Sequence, residues 1–155
     1  MIKAIFATLL FSLGTVVTYA VDRNAQLDDI REATFRYQFT HPDYVCEAKV
    51  YFLLIDSAGN KAGHEPDANF MKRFTGDKHR VTVASEQAGT FEGLYDSKTH
   101  EKGAALTVDD ITWLSDNEVE VTGTISGFGW AGFTYTLRKT KGKWTVVKSV
   151  QTSFS

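Results

Sequence analysis

Glycines at positions 127, 129 and 132 have the spacing of a phosphate-binding loop. Residues 126–133 read SGFGWAGF and satisfy Gly-x-Gly-x-x-Gly. Such a loop works where its glycines end a strand and open a helix, whose first amides hold a pyrophosphate. Here the next residues, FTYTLRKT, alternate with period two, which predicts a strand. We therefore predict a bulge or hairpin turn at Gly127 and Gly129, with Trp130 at its tip or rim, and no bound nucleotide.

The sequence contains no local motif for metal binding or catalysis. His41, His64, His79 and His100 are never paired at i,i+2 or i,i+4, and no Gly-x-Ser-x-Gly motif occurs. We predict no metal centre and no cofactor, and assign no catalytic residue. If an acid or base acts in a pocket, the candidates are His41, after the first predicted helix, and Glu47, on the first predicted strand.

Charge and cysteine content narrow the class of protein further. The formal net charge is −2, charges of both signs are mixed along the chain, and the basic run LRKTKGK surrounds a predicted turn. Without a basic stripe, a nucleic-acid partner is not expected. Cys46 is the only cysteine, so an intramolecular disulfide is excluded. Its apolar neighbours predict a buried, unreactive thiol.

The first twenty residues have the pattern of a secretory signal peptide. Lys3 precedes an apolar run from Ala4 to Val17, which is too short to cross roughly 30 Å of hydrocarbon as a helix. Thr18 and Ala20 fit the small-residue positions of a cleavage site. We expect cleavage after Ala20, a secreted or periplasmic protein with no stable membrane anchor, and a single domain over residues 21–155.

Helical spacing marks the start of this domain. The segment NAQLDDIREATFRYQF repeats apolar residues every three or four positions, which predicts a helix over residues 25–39 capped by Asn24. Glu32 and Arg36 are placed for an i,i+4 ion pair. Pro42 disfavours helix at the residue before it and predicts the stop.

Strands dominate the rest of the chain. Residues 45–56, VCEAKVYFLLID, predict a central strand, because both faces are apolar from Val50 to Ile55. DANFMKRFTG predicts a short helix between a cap at Asp67 and a stop at Gly76. From residue 80 onward, alternating segments separated by short turns predict antiparallel strands, with a bulge at Asp109–Asp110. The expected fold is α+β, with helices on one face of a curved antiparallel sheet.

The chain resembles the cystatin-like, nuclear-transport-factor-two-like superfamily. The resemblance rests on REATFRYQF, DANFMKRF, ITWLSDNEVEV and GKWTVVKSVQ, the last led by Trp144. It implies a cone in which helices lie in a curved antiparallel sheet, as in small secreted bacterial proteins without established activity. The superfamily includes isomerases, dehydratases, carriers and interaction modules, so fold does not determine function. The alternative architecture is a lipocalin-like β-barrel.

Aromatic residues are the candidate binding groups. A cone lined by Tyr37, Tyr51 and Trp113 would take a small apolar or aromatic ligand, and Trp130 would be a contact residue if exposed. The expected function is a non-enzymatic binding module for such a ligand or for a protein partner, which includes a homodimer formed through the sheet. The alternative is a small cofactor-free isomerase or lyase with an acid or base in the cone.

Overall fold

The structure, a computed structural model, describes residues 22–45, 47–55, 63–90, 93–127 and 129–155. Residues 1–20, the predicted signal peptide, and Cys46 lie outside these residues, so the predictions made for them remain predictions.

The first helix forms where the sequence predicts it, but its cap differs. Residues Asn24–Gln26 form a 3₁₀ turn, and α1 follows over Leu27–Gln38. The Asp22 carboxylate accepts hydrogen bonds from the amides of Asn24 (3.1 Å) and Ala25 (3.3 Å). The prediction that Asn24 caps the helix is therefore wrong. The 3₁₀ turn starts the helical segment earlier and moves the capping position toward the N-terminus.

A short helix replaces the start of the first predicted strand. Helix α2 covers Pro42–Val45, and strand β1 begins only at Val50. Proline suits the first position of a helix because its missing amide hydrogen has no intrahelical partner there. The prediction of a strand from Val45 is wrong for this reason: Pro42 does lie beyond the end of α1, but it also opens another helix.

The second predicted helix is confirmed together with its cap. Helix α3 covers Ala68–Met71 and continues as a 3₁₀ turn over Lys72–Phe74. Asp67 accepts hydrogen bonds from the amides of Asn69 and Phe70, at 2.8 and 2.9 Å. These bonds satisfy two donors that the first helical turn leaves unpaired.

Within the described residues, nine strands belong to one sheet. Its main path runs β2-β1-β5-β7-β8-β9, β4 joins β3 to β5, and β6 pairs with β7. The strands are β1 (Val50–Ile55), β2 (Arg80–Val83), β3 (Gln87–Thr90), β4 (Gly93–Asp96), β5 (Lys102–Val108), β6 (Ile111–Ser115), β7 (Glu118–Gly127), β8 (Gly129–Thr140) and β9 (Lys143–Phe154).

The sheet is mixed rather than wholly antiparallel. Strand β1 is central, as predicted, but it runs parallel to both of its neighbours, β2 and β5. The prediction of an antiparallel sheet is correct for the later strands and wrong here. A parallel pair needs a crossover connection, and the segment that contains α3 supplies it between β1 and β2. The described strands do not close into a barrel, which rules against the lipocalin-like alternative.

The predicted bulge lies at the junction of β5 and β6. The Asp109 amide donates to the Thr122 carbonyl at 2.8 Å, and the Thr122 amide donates to the Asp110 carbonyl at 3.0 Å. Two residues thus oppose one residue of β7, which is the defining feature of a bulge. The prediction is confirmed.

The core lies between the helices and one face of the sheet. Ile30 and Phe35 of α1 are fully buried against a sheet face that includes Leu106, Val121 and Tyr135. Aromatic rings from α1 and the α3 segment, which are Phe35, Phe70 and Phe74, meet edge to face with centroids 5.5–6.4 Å apart. Such offset contacts stabilise aromatic clusters, so this cluster fixes the position of α1 over the sheet.

Candidate binding groove

A groove of about 520 Å³ lies between α1 and the beginning of β9. This volume is within the range of roughly 300–1,000 Å³ that is typical of small-ligand pockets. We call it the α1–β9 groove. Its lining residues are Asp29, Glu32, Ala33, Arg36, Tyr37, Thr40, Gly142, Lys143, Trp144, Thr145 and Val146.

Helical spacing brings the first six of these residues onto one wall. They form two rows of i,i+4 neighbours along α1 and the turn that follows it, one running through Ala33 to Tyr37 and the other through Glu32 to Arg36. The opposite wall follows the β8–β9 turn, where Lys141 (φ 52°) and Gly142 (φ 81°) both adopt left-handed backbone conformations. This is the geometry of a tight hairpin turn, and it directs the chain into β9.

Aromatic and aliphatic side chains form the apolar part of the groove. Tyr37 is 37% exposed, and its ring meets that of buried Tyr135 edge-on at 5.8 Å. Trp144 is buried, and Val146 is half-buried. The ring of Trp113 packs edge-on against Trp144 at 5.7 Å. Tyr37 therefore presents an accessible ring above a wall that packing holds in place.

The charges on the helical wall are paired, either with one another or with Arg73 and Asp77 of the segment around and after the 3₁₀ turn. Arg73 donates to Asp29 at 2.8 Å and to Glu32 at 2.9 Å. Arg36 donates to Glu32 at 2.8 Å and to the two carboxylate oxygens of Asp77 at 3.0 and 3.1 Å. The predicted pair between Glu32 and Arg36 is thus confirmed. Because these groups satisfy one another, a ligand does not need a charge to enter.

Of the four predicted binding residues, Tyr37 lines the groove and Trp113 supports it. Trp113 contacts Trp144 and carries the Arg23 guanidinium 5.0 Å above its ring. Tyr51 instead belongs to the core, where its ring stacks on Phe39 at 4.5 Å and its hydroxyl donates to the Phe39 carbonyl at 3.4 Å. The structure therefore does not bring Tyr51 to the surface that Tyr37 presents.

Trp130 lies at a different place, beside the turn between β7 and β8. Gly127 and Gly129 face each other across this turn, and Gly129 has a φ of 96°. The predicted hairpin and the strand after it are confirmed, since β8 begins at Gly129. Trp130 is half-exposed, and its backbone exchanges two hydrogen bonds with Ser155, at 3.2 and 3.0 Å. A second depression, of about 420 Å³, is lined by Leu94, Ala105 and both glycines, among others.

Neither acid–base candidate lies in the α1–β9 groove. His41 packs between Tyr44 and Phe133, with ring centroids 5.2 and 5.1 Å away, and its buried Nδ1 has no hydrogen-bond partner among the described residues. Glu47 is exposed and pairs with Lys102. Their surroundings are thus an aromatic contact and a surface ion pair.

A buried carboxylate does exist, but it is fully engaged. Asp96 accepts hydrogen bonds from the amides of Thr99 (2.6 Å) and Lys98 (3.0 Å) and from the Arg80 guanidinium (2.6 Å). These bonds, that of the Thr99 amide first, hold the pKa of the Asp96 carboxyl well below its usual range. A carboxylate held ionised in this way is a weak base, so Asp96 fits a structural role.

Sequence reasoning missed Trp144, Val146 and Lys143 as parts of the groove. The alternation of β9 carried a signal, because it places Trp144 and Val146 on the helix-facing side of the strand. That signal indicates burial and does not say which helix lies opposite.

Over the described ranges, no group of three or more histidine, cysteine, aspartate or glutamate side chains is arranged to hold a metal ion. In the same ranges, no helix has the length and apolar character needed to span a membrane. Comparison with models of known protein families, with curated proteins and with solved structures found no match.

Proposed function

We propose that this protein is a non-enzymatic binding module that takes a small, uncharged aromatic or apolar ligand in the α1–β9 groove. The observation that carries the proposal is the joint presence of an accessible Tyr37 ring and a buried Trp144 in one groove of ligand size. An aromatic ligand there would meet the face or edge of Tyr37, a contact worth about 0.5–1.5 kcal/mol beyond simple burial.

The charge arrangement supports an uncharged ligand. Asp29 and Glu32 are neutralised by Arg73 and Arg36, so binding need not compensate a buried unpaired charge. Lys143 is exposed and forms no ion pair with a described residue. An exposed cation at a rim contributes little to affinity, so apolar contact is expected to dominate.

As part of this proposal, we infer that the sheet curves around α1 as in a cystatin-like cone. Helix α1 approaches β5 and β9 more closely than β7 and β8, which lie between them in the sheet. Neighbouring strands are roughly 4.8 Å apart. Close approach to the outer pair rather than the inner pair is expected when a sheet bends around a helix, and the groove would lie at the rim of such a bend.

Export is part of the proposal and rests on the leader pattern of residues 1–20. We expect the mature protein to begin at Val21 and to act in the periplasm or outside the cell. Intact-mass measurement of the protein purified from the culture medium or periplasm tests this. A protein found only in the cytoplasm with Met1 retained would contradict it.

The binding proposal is tested with N-phenyl-1-naphthylamine, a neutral aromatic probe whose fluorescence rises in apolar surroundings. We expect saturable binding to one site with a Kd on the order of 10–100 µM. Tyr37→Ala should weaken binding about tenfold because it removes the accessible ring. Tyr95→Ala is the matched control, since Tyr95 is 38% exposed and lies on β4, away from the groove. It should leave the Kd unchanged.

Two results would contradict the proposal. The first is that folded wild-type protein does not bind the probe at concentrations up to its solubility limit. The second is that Tyr37→Ala and Tyr95→Ala bind as tightly as wild type, which would place the probe elsewhere. Circular dichroism on each variant establishes that it is folded before binding is measured.

A further inference from the structure

Strand β9 forms one edge of the sheet and is long for an edge strand. It covers twelve residues, Lys143–Phe154, and among the described strands it pairs with β8 alone. The opposite edge, β2, covers only four residues, Arg80–Val83. An edge strand presents unpaired amides and carbonyls, and short length is one way in which proteins protect it. The edge at β9 lacks this protection.

Apolar side chains are exposed along the same strand. Val147 is 53% exposed, Val150 is 43% exposed and Phe154 is 77% exposed. These three account for half of the six large hydrophobic residues that are exposed in the described part of the chain. Single exposed apolar residues are ordinary, whereas a concentration of them on one element indicates an interaction surface.

The charge on this part of the chain is entirely positive. From Val121 to Ser155 the sequence contains five lysines and arginines and no aspartate or glutamate, in a protein whose net charge is −2. Arg138 pairs with Glu118 at 2.9 Å, and Lys139 donates to Gln26 at 2.5 Å. Lys141, Lys143 and Lys148 are exposed and have no ion-pair partner among the described residues.

We propose that the free edge of β9 binds an extended, acidic segment of a partner protein as an added strand. Main-chain hydrogen bonds to β9 would supply the general affinity, as in other cases of strand addition. Acidic side chains of the partner would face Lys143 and Lys148, and its apolar side chains would cover Val147 and Val150. This inference concerns an edge of the sheet and does not depend on ligand binding in the groove, although Lys143 borders both surfaces.

A second copy of the protein fits this edge less well than an acidic segment. Pairing β9 with another β9 would bring together two strands that carry lysines and no acid, and like charges across a strand pair are destabilising.

The experiment uses a synthetic peptide, acetyl-Glu-Thr-Val-Thr-Glu-Thr-Val-amide, whose glutamates and valines share one face as Lys148 and Val150 do on β9. It is titrated into ¹⁵N-labelled protein and followed by amide chemical shifts. We expect saturable binding with shifts concentrated on residues 147–154, beyond the part of β9 that lines the groove. A peptide of the same sequence that is N-methylated at every residue keeps its charge but loses its main-chain amide donors at both edges, and should bind at least about tenfold more weakly. A peptide with lysine in place of each glutamate should not bind.

The protein variant that tests the electrostatic part is Lys148→Glu, which should weaken binding of the acidic peptide about fivefold. Lys78→Glu is its matched control, because Lys78 is exposed and precedes β2 at the opposite edge of the sheet. It should change the affinity less than about twofold.

Three outcomes would overturn the inference. Equal binding of the N-methylated peptide would show that charge alone attracts it. Equally tight binding of a heptathymidylate at the same residues would favour a nucleic acid over a protein strand. Concentration-dependent dimerisation with shifts on β9, in the absence of peptide, would assign the edge to a second copy.

Discussion

Gln38 of α1 and Tyr135 of β8 are joined by a hydrogen bond of 3.2 Å, from the amide nitrogen Nε2 to the phenolic oxygen, and both side chains are fully buried. The same nitrogen donates to the Thr107 carbonyl of β5 at 3.0 Å. Burial raises the pKa of the Tyr135 hydroxyl, so this group stays neutral. Gln38 thus connects the helix to two strands, and its partner Tyr135 also contacts the Tyr37 ring of the groove.

Replacing Tyr135 with phenylalanine tests this connection. The hydroxyl is lost, but Gln38 keeps its bond to Thr107, so we expect the free energy of unfolding to fall by about 1 kcal/mol. Tyr95→Phe alters an exposed ring on β4 and should change it by less than about 0.5 kcal/mol. Urea denaturation measures both. Equal stability of the two variants would show that the buried bond contributes nothing.

Gly123 is predicted to be intolerant of a side chain because the Thr107 carbonyl and the end of the Gln38 side chain both lie close to it. A β-carbon at this position would lie 2.3 Å from the Thr107 carbonyl oxygen and 3.2 Å from Gln38 Nε2. Gly123→Ala should therefore destabilise the protein by about 1–3 kcal/mol.

The matched control is Gly93→Ala, where nothing lies within 4 Å of the new atom. Its free energy of unfolding should be unchanged or slightly higher, since alanine restricts the unfolded chain. Equal stability of the two glycine variants would contradict the close approach of the Thr107 carbonyl to position 123.

Glu86 makes stability depend on pH in the acid range. It accepts hydrogen bonds from Lys98 (2.7 Å), Thr82 (2.6 Å) and Arg80 (2.7 Å). These partners, Lys98 first, lower the pKa of the Glu86 carboxyl from 4.5 to about 2. A carboxyl whose pKa is lower in the folded state stabilises the fold above its unfolded pKa, and this contribution is lost as the pH falls from about 4.5 to 2.

We therefore expect Glu86→Gln to lower stability at pH 7 and to flatten its decline between pH 4.5 and pH 2. Glu120→Gln removes an exposed carboxylate that forms no ion pair with a described residue, so its profile should follow that of wild type. Urea denaturation at several pH values gives the comparison. Parallel profiles for wild type and Glu86→Gln would contradict the assignment.

Local patterns were enough to predict the later strands. Val119, Val121 and Ile125 of β7 alternate with polar residues, and one face is buried as the alternation requires. The sequence also predicts the central position of β1, because both of its faces are apolar. It does not predict that β1 runs parallel to its neighbours, since strand pairing depends on residues far apart in the chain.

The groove was predictable only in part for the same reason. The residue type of Tyr37 and its position on the helix indicate a binding residue, whereas the pattern around Trp144 indicates only an ordinary core residue of an alternating strand. No local feature of the sequence indicates that α1 lies over the start of β9. Tyr51 was an equally plausible lining residue from its sequence, and only packing against Phe39 assigns it to the core.

The central claim is that an uncharged aromatic ligand binds between α1 and β9, and one titration tests it most directly. Amide chemical shifts of ¹⁵N-labelled protein are recorded as N-phenyl-1-naphthylamine is added. We predict that saturable shifts cluster on residues 33–40 and 142–146, on the two walls of the groove. Shifts that cluster around Leu94, Gly127 and Gly129 instead, or no saturable shifts at all, would contradict the claim.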